Sequence, residues 1–213
     1  MKCDKAWMPL YAVTDRAWLR GRTLYAQAEE ALRGGATCLQ IREKELDEAD
    51  FLREALELKS LCARFRVPLI VNDNVELAIR SGADGVHIGQ HDAAASEVRR
   101  LIGPDLLLGV SAQTVEQAVK AEADGADYLG VGAVFSTGTK LDADAVSYET
   151  LKAICSAVSI PVVAIGGISR KNLAQLAGSG IDGVAVVSAI FAAEDIEQAT
   201  RELRRAVREE LGV

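Results

Sequence analysis

The 213 residues read as one (β/α)8 barrel of the α/β class, because eight short apolar runs alternate with eight helical patterns, and because the runs are entered in two alternating ways. A glycine cluster leads into four of them: Gly34-Gly35-Ala36-Thr37, Gly82-Ala83-Asp84-Gly85, Gly125-Ala126-Asp127-Tyr128 and Gly180-Ile181-Asp182-Gly183. Each cluster follows a helical pattern, as a left-handed helix cap and a tight turn into a strand would. The four prolines, Pro9, Pro68, Pro104 and Pro161, stand just before the other four runs, where a strand tolerates a missing N–H. Closure removes both sheet edges, which favours a barrel over an open doubly wound sheet. The length is near the lower limit for eight βα units.

In chain order, strand 9–13 is followed by helix 23–33, and strand 37–42 by helix 48–65 with Asp47 as N-cap. Strand 68–71 then leads to helix 74–81, strand 84–88 to helix 93–102, and strand 106–110 to helix 114–124. Strand 127–132 leads through a long loop to helix 147–157, strand 161–165 to helix 170–178, and strand 182–187 to helix 194–211. No linker or shift in composition interrupts the pattern, so residues 1–213 are expected to form one domain.

Hydrophobic residues make up 49 % and charged residues 26 %, as in a soluble globular domain, and 5 % aromatics leave the core to Ala, Val, Ile and Leu. A net charge of −7 excludes a global field attracting nucleic acid or an anionic membrane, so any phosphate site must be a local cluster of cations and amides. No stretch has the length of a membrane span. Cys3, Cys38, Cys62 and Cys155 lack metal-binding spacing. Reduced thiols and a cytoplasmic location are expected, without a secretory leader.

In such a barrel the chemistry sits on the loops after the strands. Strand 2 ends in Gln40-Ile41-Arg42-Glu43-Lys44, and this whole run, Ile41 and Glu43 included, is a candidate substrate-binding segment. Period-two alternation puts Gln40, Arg42 and Lys44 on the face toward the barrel mouth, where two cations would repel unless an anion sat between them. A frayed strand end entering a solvated helix start is the alternative. Strand 3 ends in Asn72-Asp73 and strand 4 in His87-Ile88-Gly89-Gln90-His91-Asp92. Asp73 and Asp92 offer Mg2+ two carboxylates beside substrate phosphate oxygens, or they are helix N-caps, or both. His87 is expected to pack behind the site and His91 to be exposed, neither catalytic.

Strand 5 leaves the Ser111 hydroxyl at the rim, and Gly130 and Gly132 in strand 6 make room inside the barrel. The following loop carries Thr137-Gly138-Thr139-Lys140, which combines hydroxyls, amides and a cation. Gly166-Gly167 after strand 7 and Val187-Ser188 after strand 8 occupy the recurrent phosphate position of these barrels. Two anion sites facing each other across one mouth imply two phosphorylated small-molecule ligands. No Ser/His/Asp or Cys/His arrangement is discernible on this rim.

The ordered set Tyr11-Ala12-Val13-Thr14-Asp15, Gln40-Ile41-Arg42-Glu43-Lys44, Val71-Asn72-Asp73, His87 to Asp92, Gly109-Val110-Ser111, Thr137-Gly138-Thr139-Lys140 and Ile165-Gly166-Gly167-Ile168 closely resembles the thiamine phosphate synthase family over essentially the whole chain. The resemblance implies that a hydroxymethylpyrimidine diphosphate and a thiazole monophosphate are joined to give thiamine phosphate and pyrophosphate. It also implies that Gln40, Arg42, Lys44, Asn72, Ser111 and Lys140 hold the pyrimidine diphosphate, with Arg42, Lys44, Ser111 and Lys140 as catalytic candidates. Asp73 and Asp92 would bind Mg2+, and Thr137, Gly138, Thr139, Gly167, Val187 and Ser188 would hold the thiazole phosphate. The chain departs from the family at Ser136, where proline is frequent, and at Gln113, where members carry an imidazole. Position 113 is therefore expected to carry no essential proton.

The expected chemistry is Mg2+-assisted, dissociative loss of pyrophosphate with no protein nucleophile. A thiazole tautomerase-like isomerase on the same barrel is the alternative, and a non-catalytic phosphate sensor a third reading. The isomerase would need a proton carrier and no diphosphate site. A homo-oligomer is left open.

Overall fold

The computed structural model describes residues 3–135 and 146–213. Eight parallel strands close in sequence order: β1 Leu10–Val13, β2 Cys38–Ile41, β3 Leu69–Asn72, β4 Gly85–Ile88, β5 Leu107–Ala112, β6 Tyr128–Val131, β7 Val162–Ile165 and β8 Gly183–Val186, which pairs back onto β1. Around them lie α1 Leu24–Arg33, α2 Glu48–Phe65, α3 Val75–Arg80, α4 Ala95–Ile102, α5 Val115–Ala123, α6 Tyr148–Ala157, α7 Ser188–Phe191 and α8 Ile196–Ala206. This is the TIM barrel that the alternation predicts.

Every strand begins one residue later than expected, and the residue left out has a job of its own in the glycine-led half. Thr37, Asp84, Asp127 and Asp182 turn a side-chain oxygen onto the preceding strand, accepting the N–H of Leu10 (2.9 Å), Leu69 (2.8 Å), Leu108 (2.8 Å) and Val162 (2.9 Å). The fourfold sequence repeat is thus a fourfold strand-entry device at the amino-terminal end of the barrel. It satisfies N–H groups that the ladder leaves over.

Period two then sorts the strand residues into two apolar layers. Tyr11, Val13, Cys38, Ile70, Leu107, Tyr128, Val163 and Ala185 fill the barrel, while Leu10, Leu39, Ile41, Leu69, Val86, Leu108, Leu129 and Val184 pack outward against the helices. Helix starts follow ordinary capping: Thr23, Asp47, Asn74, Thr114, Ser147 and Asp195 each accept an N–H from the first turn.

Three segments differ from expectation. The pairing of Ser111 with Gly130 and Ala112 with Val131 carries β5 two residues further, which fixes Ser111 on a strand. The helix expected over 170–178 is only a 3-10 turn, Leu173–Leu176, because the Asn172 amide binds back to the Ser169 N–H (2.8 Å) and the Gly167 carbonyl (2.9 Å). The last helix starts at Ile196, after the separate turn α7, and ends in a π turn, Val207–Leu211.

Candidate active site

The carboxyl ends of the strands open onto a cavity of about 410 Å3. Its wall takes Gln40, Asn72 and Ser111 from β2, β3 and β5, Arg42 from just beyond β2, Gly167 and Val187 from the loops after β7 and β8, and Ser188 from the start of α7. Seven residues scattered over the sequence therefore meet in one space. Lys44, Asp73 and Asp92 lie outside that wall, on exposed loop positions.

Two of the residues expected to bind substrate at the end of strand 2 have other surroundings. Ile41 is fully buried in the helix-facing layer, so its side chain cannot meet a ligand in the mouth. Glu43 is part of the scaffold. One carboxylate oxygen accepts the N–H groups of Lys44 (2.7 Å), Glu45 (2.8 Å) and Leu46 (3.3 Å), and the other is held by Arg16, which also reaches Glu54 at 2.6 Å. Burial alone would raise Glu43, but the hydrogen bonds from Glu45, Arg16 and Lys44 outweigh it and hold its carboxyl below the usual range. The buried Thr14 hydroxyl accepts the Arg42 N–H at 3.1 Å. Asp15 lies 3.7 Å from the Arg42 guanidinium. The loop that carries Arg42 and Lys44 is thus pinned by the segment that follows β1, Thr14 to Arg16.

Asp73 and Asp92 come together, as their neighbouring loops require. Asp73 has φ +62°, in the left-handed region that glycine, asparagine and aspartate adopt more readily than other residues, and its N–H is tied to the His87 carbonyl at 2.8 Å. Partial loss of water and the Asp92 carboxylate beside it push Asp73 up from the ordinary carboxyl range, with Lys44 and Asn72 acting in the opposite direction. Neither aspartate caps a helix: Asn74 caps α3, and Ala94 stands at the cap position of α4 without a side-chain bond. Asp92 instead accepts the Gly89 N–H at 2.7 Å within its own loop. Two adjacent carboxylates near a lysine fit a hard cation that also takes ligand oxygens. No group of three or more His, Cys, Asp or Glu side chains among the described residues could hold a metal.

On the opposite side, Gly166 and Gly167 have φ +103° and +65°. A Cβ at Gly166 would fall 2.5 Å from that of Ala133, so only glycine lets the β7 loop lie against the end of β6. Thr137, Gly138, Thr139 and Lys140, like Ser136, lie outside the described residues.

Comparison with known proteins shows the family. Residues 10–190 match the thiamine monophosphate synthase family. The chain belongs to that family. It is 50 % identical over 194 residues to the thiamine-phosphate synthase of Clostridium tetani, covering 91 % of this chain and 93 % of the relative. It is 52 % identical over 199 residues to that of Chloroflexus aurantiacus, covering 93 % and 92 %. The solved thiamine phosphate pyrophosphorylase of Pyrococcus furiosus superposes with a TM-score of 0.90 at 39 % identity, covering 98 % of this chain and 99 % of that one.

As a member of the thiamine phosphate synthases, the enzyme also carries polar groups that sequence reading overlooked. No Ser/His/Asp or Cys/His arrangement is expected on this rim, and the structure adds a serine–histidine contact: His87 Nε2 and Ser111 Oγ are 2.9 Å apart. Behind them, His87 Nδ1 lies 3.1 Å from the Tyr128 hydroxyl, which is 2.8 Å from that of Tyr11, which in turn accepts from Gln40 Nε2 at 2.8 Å. The in-phase spacings Tyr128/Gly130, His87/Gly85 and Gly109/Ser111 were the available signal, since each pair shares the inward face of its strand. Gln113 lines the cavity, and its N–H is bound by the Gln117 side chain at 2.8 Å. No helix among the described residues is long and apolar enough to cross a membrane.

Proposed function

We propose that this synthase joins a hydroxymethylpyrimidine diphosphate to a thiazole monophosphate, with Mg2+ held by Asp73 and Asp92, and releases pyrophosphate. The observation that carries the reading is the meeting of Gln40, Arg42, Asn72 and Ser111 with Gly167 and Ser188 around one cavity. A single anion would use one of these walls; two phosphorylated substrates use both.

Arg42 and Lys44 would neutralise the diphosphate, the guanidinium by two parallel N–H bonds and the ammonium as a point charge. Ser111 and Asn72 would orient the group that departs, and Lys140 would join them. Bound at Asp73 and Asp92, the metal would supply further positive charge at the diphosphate oxygens. The bond between the pyrimidine methylene and the diphosphate oxygen breaks, the pair staying with pyrophosphate, and the thiazole nitrogen closes the new carbon–nitrogen bond with its own lone pair. The electron-rich aminopyrimidine stabilises the methylene cation in between, so the chemistry asks the chain to place charges rather than attack. Amides around Gly167, Val187 and Ser188, with Thr137, Gly138 and Thr139, would seat the thiazole phosphate.

The tautomerase-like reading leaves Arg42 and the Asp73–Asp92 pair unused and needs a proton carrier where this chain has Gln113. A product assay with both substrates and Mg2+ tests the proposal: thiamine phosphate with an equal amount of pyrophosphate is expected. Thiazole isomerisation without condensation would refute it.

A further inference from the structure

We infer that Gln40, Tyr11, Tyr128, His87 and Ser111 form a proton-ordered relay across the barrel interior that presents the Ser111 hydroxyl to the substrate as a hydrogen-bond donor. The substrate's identity rests on the function proposed above; the order of the protons does not. The relay joins β2, β1, β6, β4 and β5, and all five of its residues line the cavity, so it runs across the cavity floor.

The order follows from counting hydrogens. The nitrogen end of the Gln40 amide, 2.8 Å from the Tyr11 oxygen, can only donate, so Tyr11 accepts there. With one lone pair engaged there, we assign the Tyr11 proton to the 2.8 Å contact to Tyr128, which leaves the Tyr128 proton for the 3.1 Å contact to His87 Nδ1. An imidazole accepting at Nδ1 carries its proton on Nε2, which donates to Ser111 Oγ across 2.9 Å. Ser111 has then accepted from within the protein, and its own proton is left for the cavity it lines. Both tyrosines are fully buried, and burial above all pushes the phenols well above their ordinary range, so neither gives up its proton.

This separates the Ser111–His87 pair from a nucleophilic one. In a serine–histidine nucleophile, the ring nitrogen facing the hydroxyl is bare and a carboxylate orients the far side. Here a phenol donates to the far side, so the near nitrogen is occupied and His87 cannot take the Ser111 proton. His87, Tyr128 and Tyr11 are positioning residues. Two glycines make room for the arrangement. A Cβ at Gly109 would lie 2.2 Å from Tyr128 Cζ and 2.5 Å from His87 Nδ1, and one at Gly130 would lie 3.0 Å from His87 Cε1.

The test is the tautomer of His87, read from 15N-labelled imidazoles of the substrate-free enzyme at neutral to mildly alkaline pH; with only two histidines, His87→Gln assigns the signals. The expected result is a protonated-type Nε2 and a bare-type Nδ1. A proton on Nδ1 with a bare Nε2 would overturn the inference whether or not the enzyme makes thiamine phosphate. With the expected tautomer but no condensation, the functional reading fails and the relay stands. Tyr128→Phe is expected to abolish the tautomer preference and lower kcat about tenfold, with KM little changed, as the loss of one orienting hydrogen bond would. An unchanged tautomer and kcat in that variant would also overturn it. If the variant does not fold, the wild-type spectrum still decides.

Discussion

The two ends of the barrel use the same residue types to opposite effect. At the amino-terminal end, Asp84, Asp127 and Asp182 each accept a strand N–H and meet a cation: Lys59 at 2.6 Å, Arg99, and Lys5 at 2.7 Å. Arg99 further binds the carbonyls of Gly103 (2.7 Å), Leu106 (2.9 Å) and Gly125 (3.0 Å). At the carboxyl end, Asp73 faces another carboxylate from a left-handed backbone, and the ion pair of Arg42 with Asp15 is a long 3.7 Å. Charge is settled internally at one rim and left poised at the other. Such unresolved electrostatics mark a binding site, and in these barrels the carboxyl end is where it belongs.

Substitution should separate the ends. On the proposed metal reading, Asp73→Asn is expected to lower kcat about a hundredfold or more, since one of the two carboxylates that would hold Mg2+ is lost, while the melting temperature holds or rises slightly as like-charge repulsion is relieved. Asp127→Ala, at the other end, strands the Leu108 N–H and takes the carboxylate partner from Arg99. It should cost about 2–3 kcal/mol of stability in a denaturant titration and leave kcat per folded molecule intact.

A pH titration of metal binding comes next in size. The Asp73 carboxyl sits above its ordinary range, so the folded protein holds that proton more tightly than the unfolded chain, and stability falls as pH rises through the raised value. Mg2+ competes with the same proton, so its affinity should drop by up to about tenfold per pH unit below that value, and Asp73→Asn should flatten the profile. The smallest effect is expected from Glu43→Gln, which weakens the Arg16 clamp under the Arg42 loop. KM for the diphosphate substrate should rise about threefold to tenfold with kcat nearly kept, read from initial rates.

The fold was legible because one period repeats fourfold: glycine and proline mark the strand entries, and the alternation of side chains assigns the faces. Gln40, Arg42, Asn72 and Ser111 could be placed for the same reason, as could Gly167, Val187 and Ser188. What escaped was long range. The phase of β2 already turns Ile41 outward, but the clamp on Glu43 depends on Arg16, 27 residues earlier, and nothing local to either residue announces it. The Tyr11–Tyr128 contact spans 117 positions and needs the register of the closed barrel. The 3-10 turn after β7 escaped because one amide, Asn172, binds back to its own loop.

The reading of the open rim as a metal-assisted diphosphate site is tested most directly by calorimetric titration of the enzyme with pyrophosphate, with and without Mg2+. Tight binding that appears only with the metal, and disappears in both Asp73→Asn and Arg42→Ala, is the expected result. Equal binding in excess EDTA, or binding indifferent to both substitutions, would contradict it.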